Sequence, residues 1–165
     1  MEVVLFQKMN KKLIKYLLFF LTVNFLGLAV GSVFTDPGVN SNWYINLKKA
    51  PWTPPGYIFG VAWTIIGFTF SILMTFLILC KKNINYIKAL FLSSLFLNIL
   101  WNPIFFYANW DTLGLIILFV LFILIFYLTK EALFNLSYKI ALLGIPYLIW
   151  LIVALSLNLY IVIIN

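Results

Sequence analysis

A chain of 165 residues with 65% hydrophobic and 9% charged residues, at a mean hydropathy of +1.10, is no soluble globular domain, where about 25% of residues are charged. It reads as an integral membrane protein, with room for one domain of roughly five spanning helices. Its net charge of +7 rests on eleven basic residues, all lysines and mostly flanking apolar runs, a pattern of topology signals rather than of nucleic-acid binding.

The apolar runs in chain order are Leu13 to Phe34, Tyr57 to Cys80, Ala89 to Ala108, Thr112 to Thr129 and Ile140 to Ile163. Each is long enough to cross a hydrocarbon core of ~30 Å as a helix, and a helix satisfies its own backbone there. The fold class expected is therefore all-α, an integral membrane five-helix transmembrane bundle, in a single domain over 1–165. The first run has a second reading as a cleaved signal peptide, because Lys8, Lys11, Lys12 and Lys15 precede it and Ala29-Val30-Gly31 resembles a cleavage site. A retained helix would instead use Gly27 and Gly31 as a small-xxx-small pair for close packing, a candidate homodimer face.

Nine lysines (Lys8, Lys11, Lys12, Lys15, Lys81, Lys82, Lys88, Lys130 and Lys139) fall on one side of such a bundle, and Lys48 and Lys49 on the other. The positive-inside rule then puts the N-terminus in the cytoplasm, and the 35–55 loop outside, in what is expected to be a bacterial cytoplasmic membrane.

That loop and the start of the second run, WYINLKKAPWTPPGYIFGVAW from Trp43 to Trp63, are too polar and too rich in proline to be continuous membrane helix. An ordered lid is expected. Thr53 is a candidate cap for the second helix with Pro54 at its first position, which would aim a helix N-terminus at the lid. With Lys48 and Lys49 near, that end suits a ligand carboxylate; solvated loop charges are the plainer reading of the lysines.

In the third run Asn98, Trp101, Asn102 and Phe105 recur at i, i+3, i+4 and i+7, which places two amides and two rings on one helical face. Interhelical hydrogen bonding accounts for either amide alone. Pro103 follows Asn102 inside the helix, frees a backbone carbonyl and should bend the segment there. The fifth run carries Pro146, then Tyr147, Trp150, Ala154 and Asn158 along one stripe, with Ala154 leaving a gap beside the rings. Packing explains an aromatic stripe equally well, and Trp110 reads as an interfacial anchor.

Catalytic chemistry is narrow in this composition. Histidine is absent and Cys80 is the single cysteine, so the commonest general base and metal ligand, an internal disulfide and a cysteine metal cluster are all excluded. No metal or cofactor is expected. Glu2, Asp36, Asp111 and Glu131 lie outside the apolar runs, which argues against an intramembrane carboxylate relay.

The ordered set W-Y-x(2)-L-x-K, W-x-P-P-G, G-x-x-W, L-N-x-x-W-N-x-x-F-F and P-Y-x-x-W-x(3)-A-x(2)-L-N, from Gly27 to Asn158, resembles the TspO/MBR family of tryptophan-rich sensory proteins related to the mitochondrial translocator protein. One departure is Ala50-Pro51, where many members carry the proline one residue earlier. The resemblance implies a five-helix bundle, often homodimeric, with a pocket facing the first interhelical loop that binds porphyrins such as protoporphyrin, and in some members a sterol or other lipid. It also implies light- and oxygen-dependent porphyrin degradation in bacterial members, with Trp63 and Trp150 at the implicated positions and Tyr44, Asn98, Asn102, Phe105 and Ala154 at pocket positions. An indole beside a photoexcited porphyrin can donate an electron without histidine or metal. Pro54, Trp101, Tyr147 and Asn158 complete the candidate ligand-binding set. A tetrapyrrole or lipid transporter and a ligand-sensing receptor or regulatory scaffold stand as the alternative functions.

Overall fold

The structure is a computed structural model that describes the backbone of residues 2–80 and 82–165 and the side chains of residues 10–80 and 82–165; Lys81 and the Lys8 side chain, both counted in the charge argument, lie outside the described residues. Its elements are α1 (Glu2–Val39), a short lid helix α2 (Asn42–Asn46), α3 (Gly56–Cys80), α4 (Ile84–Asn102) continuing into a π-helical turn (Pro103–Tyr107), α5 (Asp111–Asn135), and a last span made of α6 (Tyr138–Ala141), a 3-10 turn (Leu142–Gly144) and α7 (Ile145–Ile164). The five apolar spans of 24 to 30 residues, at 1.5 Å per residue, reach about 36–45 Å and clear the hydrocarbon core. This is an all-α, multi-pass membrane bundle.

Several helices extend further than their apolar stretch, α1 starting at Glu2 and α4 at Ile84, and two run on at their C-terminal ends. α1 continues past Phe34 through Pro37 to Val39 because its end is held by packing: the Thr35 hydroxyl donates to Asn102 Oδ1 at 2.8 Å, and Gly38 lies against the Phe106 ring. The expected 35–55 loop is thus shorter, and part of it is the α2 turn. α5 runs past Thr129 to Asn135, where Asn135 Nδ2 donates to a Glu131 carboxylate oxygen at 2.7 Å and closes the last turn.

The cap expected of Thr53 is not formed. Its hydroxyl donates backwards to the Ala50 carbonyl at 2.7 Å and its amide to the same oxygen at 2.9 Å, closing a tight turn. Pro54 and Pro55 follow as extended lead-in, and α3 starts at Gly56, with the Ile58 amide donating to Pro55 O at 3.0 Å. Paired prolines keep the residue before each of them out of the helical region, so the helix starts after them.

Gly27 and Gly31 do mediate close packing, but inside the protomer. A Cβ at Gly27 would stand 3.0 Å from Leu95 Cδ1, and one at Gly31 would stand 2.6 Å from Asn102 Nδ2. Both glycines are buried against α4, so the small-xxx-small pair is not a dimer face. With Gly38 they form one stripe that lets α1 lie flat on α4 and its π turn. A larger residue there must push α1 away.

The core runs through α3, α4, α5 and α7, with Leu73, Met74, Leu77, Ile125, Leu128 and Leu151 fully buried. Polar groups inside it are satisfied locally: Ser71 and Thr75 donate to carbonyls one turn back, and Asn24 Nδ2 donates to Ser71 Oγ at 2.8 Å to tie α1 to α3. Among the described residues no buried side-chain polar atom lacks a partner. That is what hydrocarbon requires.

The glycine stripe makes a stability prediction. Gly31→Leu overpacks the α1–α4 contact and lowers stability in detergent by about 1–3 kcal/mol, read as a lower thermal unfolding midpoint. Gly60→Leu, where a Cβ meets nothing within 4 Å, leaves the midpoint close to wild type.

Candidate functional site

The predicted site residues gather around two cavities rather than one. The upper cavity, of about 70 Å³, lies beneath the lid between α2, α3, the end of α4 and α7. Tyr44, Trp101, Phe105, Ala154 and Asn158 all line it, joined by Lys49, Thr53, Phe59, Phe106, Leu157 and Ile161. The inner cavity, of about 30 Å³, lies deeper between α1, α3 and α4; Trp63, Asn98 and Tyr147 line it with Asn24, Ser94 and apolar neighbours.

The split reflects position along the third span, Asn98 lying about one turn below Trp101, and Pro103 shapes the turn above them. An α-helix advances about 100° per residue, so Asn98, Trp101, Asn102 and Phe105 would share a face if the helix stayed regular. Pro103 has no amide proton, and the chain answers with a wider turn in which the Ala108 amide donates to Pro103 O at 2.9 Å, five residues back. Each residue in that turn advances less, which rotates Phe105 back over Trp101. The two rings stack at 4.9 Å with only 14° between planes. Asn98 stays one turn below, its Nδ2 donating to the Tyr147 hydroxyl at 2.8 Å. Asn102 turns to α1, accepting from Thr35 and donating to the Asn98 carbonyl at 3.2 Å. It clasps helices and lines neither cavity.

Trp150 and Pro54 line neither cavity either. Trp150 is buried edge-on against Phe59, centroids 5.2 Å apart and planes at 84°. One turn deeper Trp63 meets Tyr147 in the same manner, at 5.7 Å and 79°. Phe59 and Trp63 are i, i+4 on α3, and Tyr147 and Trp150 are i, i+3 on α7, so each helix presents its pair on one face. Together they make a four-ring ladder between α3 and α7. Phe59 forms part of the upper wall, and Trp63 with Tyr147 part of the inner one.

The floor of the upper cavity is polar but neutral. Asn158 is 2% exposed; its Nδ2 donates to the Asp111 backbone carbonyl at 2.9 Å, and its Oδ1 takes a long 3.5 Å contact from the Trp101 indole N–H. Gly114 of α5 lets these groups approach, since a Cβ there would stand 3.1 Å from Asn158 Oδ1. At the mouth the Lys49 ammonium lies 4.5 Å from the centre of the Tyr44 ring. Burial pushes the Tyr44 phenol above its usual range, so it stays neutral at physiological pH.

The lid is fastened on two sides. Trp43 and Tyr44 pack on Phe105 and Phe106, with ring centroids 5.4 to 6.5 Å apart. Across the mouth, the Trp52 indole donates to Ser156 Oγ at 3.2 Å and lies edge-on to Tyr160, while the Lys48 amide donates to Asn165 Oδ1 at 2.9 Å. Asn165 Nδ2 reaches back to the Lys48 carbonyl at 3.3 Å.

Neither cavity wall carries a carboxylate, an imidazole or a thiol. Among the described residues no group of side chains is arranged to hold a metal ion. What the walls offer is apolar contact, flat aromatic faces, three amides, a phenol in each cavity and one ammonium. Sequence reasoning passed over Asn24, Ser94, Phe59 and Phe106. Asn24 alone carried a signal, as an amide within an apolar run.

Residues 19–164 match the TspO/MBR family. The chain is 36% identical over 148 residues to the tryptophan-rich protein TspO of Archaeoglobus fulgidus, covering 88% of this chain and 93% of that one. It is 34% identical over 153 residues to the tryptophan-rich protein TspO of Chlorobaculum tepidum, covering 91% and 95% of the two chains. Against the tryptophan-rich sensory protein of Cereibacter sphaeroides it is 33% identical over 116 residues, covering 70% and 72%. Five membrane-spanning helices, a tryptophan-rich lid and an aromatic cavity beneath it are thus found in a chain that belongs to the TspO/MBR family.

Proposed function

We propose that this protein binds a tetrapyrrole such as protoporphyrin beneath the lid and, in light and oxygen, degrades it by electron donation from indoles. The observation that carries this reading is the stacked Trp101–Phe105 pair on the wall of an apolar cavity closed by a tryptophan-rich segment. A flat macrocycle gains most from such ring faces. The cavity is about 70 Å³, against ~300–1,000 Å³ for pockets that enclose drug-sized ligands, so a macrocycle enters only when the lid moves outward.

The four-ring ladder supplies a route for the chemistry. Trp101 touches the upper cavity directly; Trp150 reaches it through Phe59, and Trp63 lies one rung below. In this proposal an excited porphyrin takes an electron from Trp101 or, across Phe59, from Trp150. The reduced macrocycle passes it to dioxygen, the indole radical recovers an electron from the macrocycle, and the oxidised macrocycle combines with the superoxide to give an oxygenated, ring-opened product. The lining carries no carboxylate, imidazole or thiol, and the indoles are its most readily oxidised groups, which favours indole redox as the chemistry of the walls.

The lid faces outward in this reading, because the basic residues at the opposite end outnumber Lys48 and Lys49. The membrane is then the cytoplasmic one, with the N-terminus inside. In a Cys80→Ala background, a cysteine placed at exposed Asn42 reacts with an impermeant maleimide added outside intact cells; labelling only after membrane disruption reverses the orientation.

Binding and turnover separate experimentally. Trp101→Ala removes one stacking plate and weakens protoporphyrin binding, measured by tryptophan fluorescence quenching in detergent, by about 3- to 10-fold, while Trp110→Phe has no effect. The Trp63→Phe, Trp150→Phe double variant keeps rings on the ladder but removes its indoles, so bleaching of bound protoporphyrin under illumination in air slows sharply. Bleaching at the wild-type rate in that variant removes Trp63 and Trp150 from the chemistry, and bleaching that also survives Trp101→Phe added to it leaves a protein that binds without degrading.

A further inference from the structure

We infer that Lys49 is a specificity-determining residue that selects ligands carrying a carboxylate at the edge of an apolar body, and that it holds this group at the cavity mouth. The inference rests on the reading of the upper cavity as the ligand site. The two lid lysines are not equivalent. Lys48 is exposed, and what fixes it is its backbone, bonded through both N–H and C=O to the Asn165 side chain. Lys49 is half-buried and lines the cavity.

The backbone is tied on both sides of Lys49. On one side stands the Lys48–Asn165 pair; on the other, Ala50 is buried and its carbonyl accepts from both the amide and the hydroxyl of Thr53. That leaves the Lys49 side chain to run back along α2, where its ammonium lies over the Tyr44 ring and makes one long contact, 3.5 Å, with the Ile45 carbonyl. Three donors on a cation are met by one distant carbonyl and one ring face. No acidic residue lines the cavity: Asp111 presents only its backbone carbonyl near the floor, while its carboxylate accepts from Thr112, and Glu131 bonds to Asn135 on α5.

A cation at the rim of an otherwise neutral, apolar cavity orients an amphipathic ligand. The apolar body enters toward Trp101, Phe105 and Ala154, and the acid stays at the wet end against Lys49. A charge-assisted bond there replaces the long Ile45 contact and leaves the Tyr44 ring in place. A lysine at the mouth also gives binding a salt dependence that the apolar walls lack.

The test compares protoporphyrin, whose macrocycle bears propionates, with its dimethyl ester, in one detergent, by fluorescence quenching. Wild type prefers the acid by about tenfold, and the preference shrinks as sodium chloride rises. Lys49→Met, similar in length and apolar, brings acid affinity down to that of the ester and leaves the ester unchanged. Lys49→Arg retains the preference, and so does Lys48→Met. Equal affinity of wild type for acid and ester, or a preference that survives in Lys49→Met, overturns the role of Lys49 while the cavity stands. Failure of wild type to bind either porphyrin overturns the cavity reading and this inference with it.

Discussion

Pro103 takes an amide donor away from the third span near its lid end, and the shape of the upper cavity follows from how the chain absorbs that loss. In hydrocarbon an unmet carbonyl is costly, so the helix widens into a π turn instead of simply breaking. The Trp110 amide then reaches the Ile104 carbonyl at 3.1 Å, and the turn closes into the start of α5. Widening rotates Phe105 onto Trp101 and presses Phe106 toward Gly38 of α1. A regular helix would keep Phe105 on the Trp101 face but offset it by about 40°, and the wider turn brings the two rings into register. The same bend is secured from the other side by Asn102, whose amide bonds both to its own helix and to Thr35.

The glycine stripe of α1 works with this bend. α1 contributes few buried residues of its own, yet it lies close enough to α4 for Asn102 to reach Thr35, because Gly27, Gly31 and Gly38 carry no side chains into the contact. Between lipid and protein there is little hydrophobic difference to drive such contact, so close approach and hydrogen bonds must hold it. Asn24 to Ser71 and Thr35 to Asn102 are two such bonds, one deep and one near the lid. The inner cavity lies beside the deeper tie, and its volume has room for about two water molecules. The amides of Asn24 and Asn98 line it and make its wall partly polar.

Much of this architecture was legible in the sequence because the membrane narrows the options. Apolar runs of about 20 residues must be helices, so all five spans were readable, as was the lid, where Pro51, Pro54 and Pro55 forbid a continuous helix. The ends were not, where tertiary contacts override composition: α1 runs on through Pro37 because Thr35 and Gly38 pack on the third span. The site residues were found mostly as individuals and not as a group. A period of 3.6 put Asn98, Asn102, Trp101 and Phe105 on one face, whereas the neighbouring helices divide them among an inner wall, a helix clasp and an upper wall, with the π turn setting Phe105 on Trp101. Trp63 and Trp150 share a ladder and not a cavity, a relation that depends on which rings of α3 face α7. In the sequence only the motif W-Y-x(2)-L-x-K sets Lys49 apart from Lys48; the structural difference arises from Asn165, more than a hundred residues away.

The lid's two margins differ in kind. Along the π turn, Trp43 and Tyr44 are held by ring contact with Phe105 and Phe106, both at most 9% exposed, and parting them exposes apolar surface to water. Along α7 the ties are hydrogen bonds of exposed groups, from Trp52 to Ser156 and between Lys48 and Asn165, which water can replace at small net cost, and one edge-on contact of the exposed Trp52 ring with Tyr160. The α7 edge is therefore the weaker one, and outward motion about the Trp43–Tyr44 side widens the cavity next to Ala154, where the small side chain already leaves space. Motion in that sense keeps the Trp101–Phe105 stack intact, since neither ring belongs to the lid. The proline-rich lead-in from Thr53 to Gly56 limits the motion to the segment before it, so α3 and its half of the ring ladder stay fixed while the mouth opens.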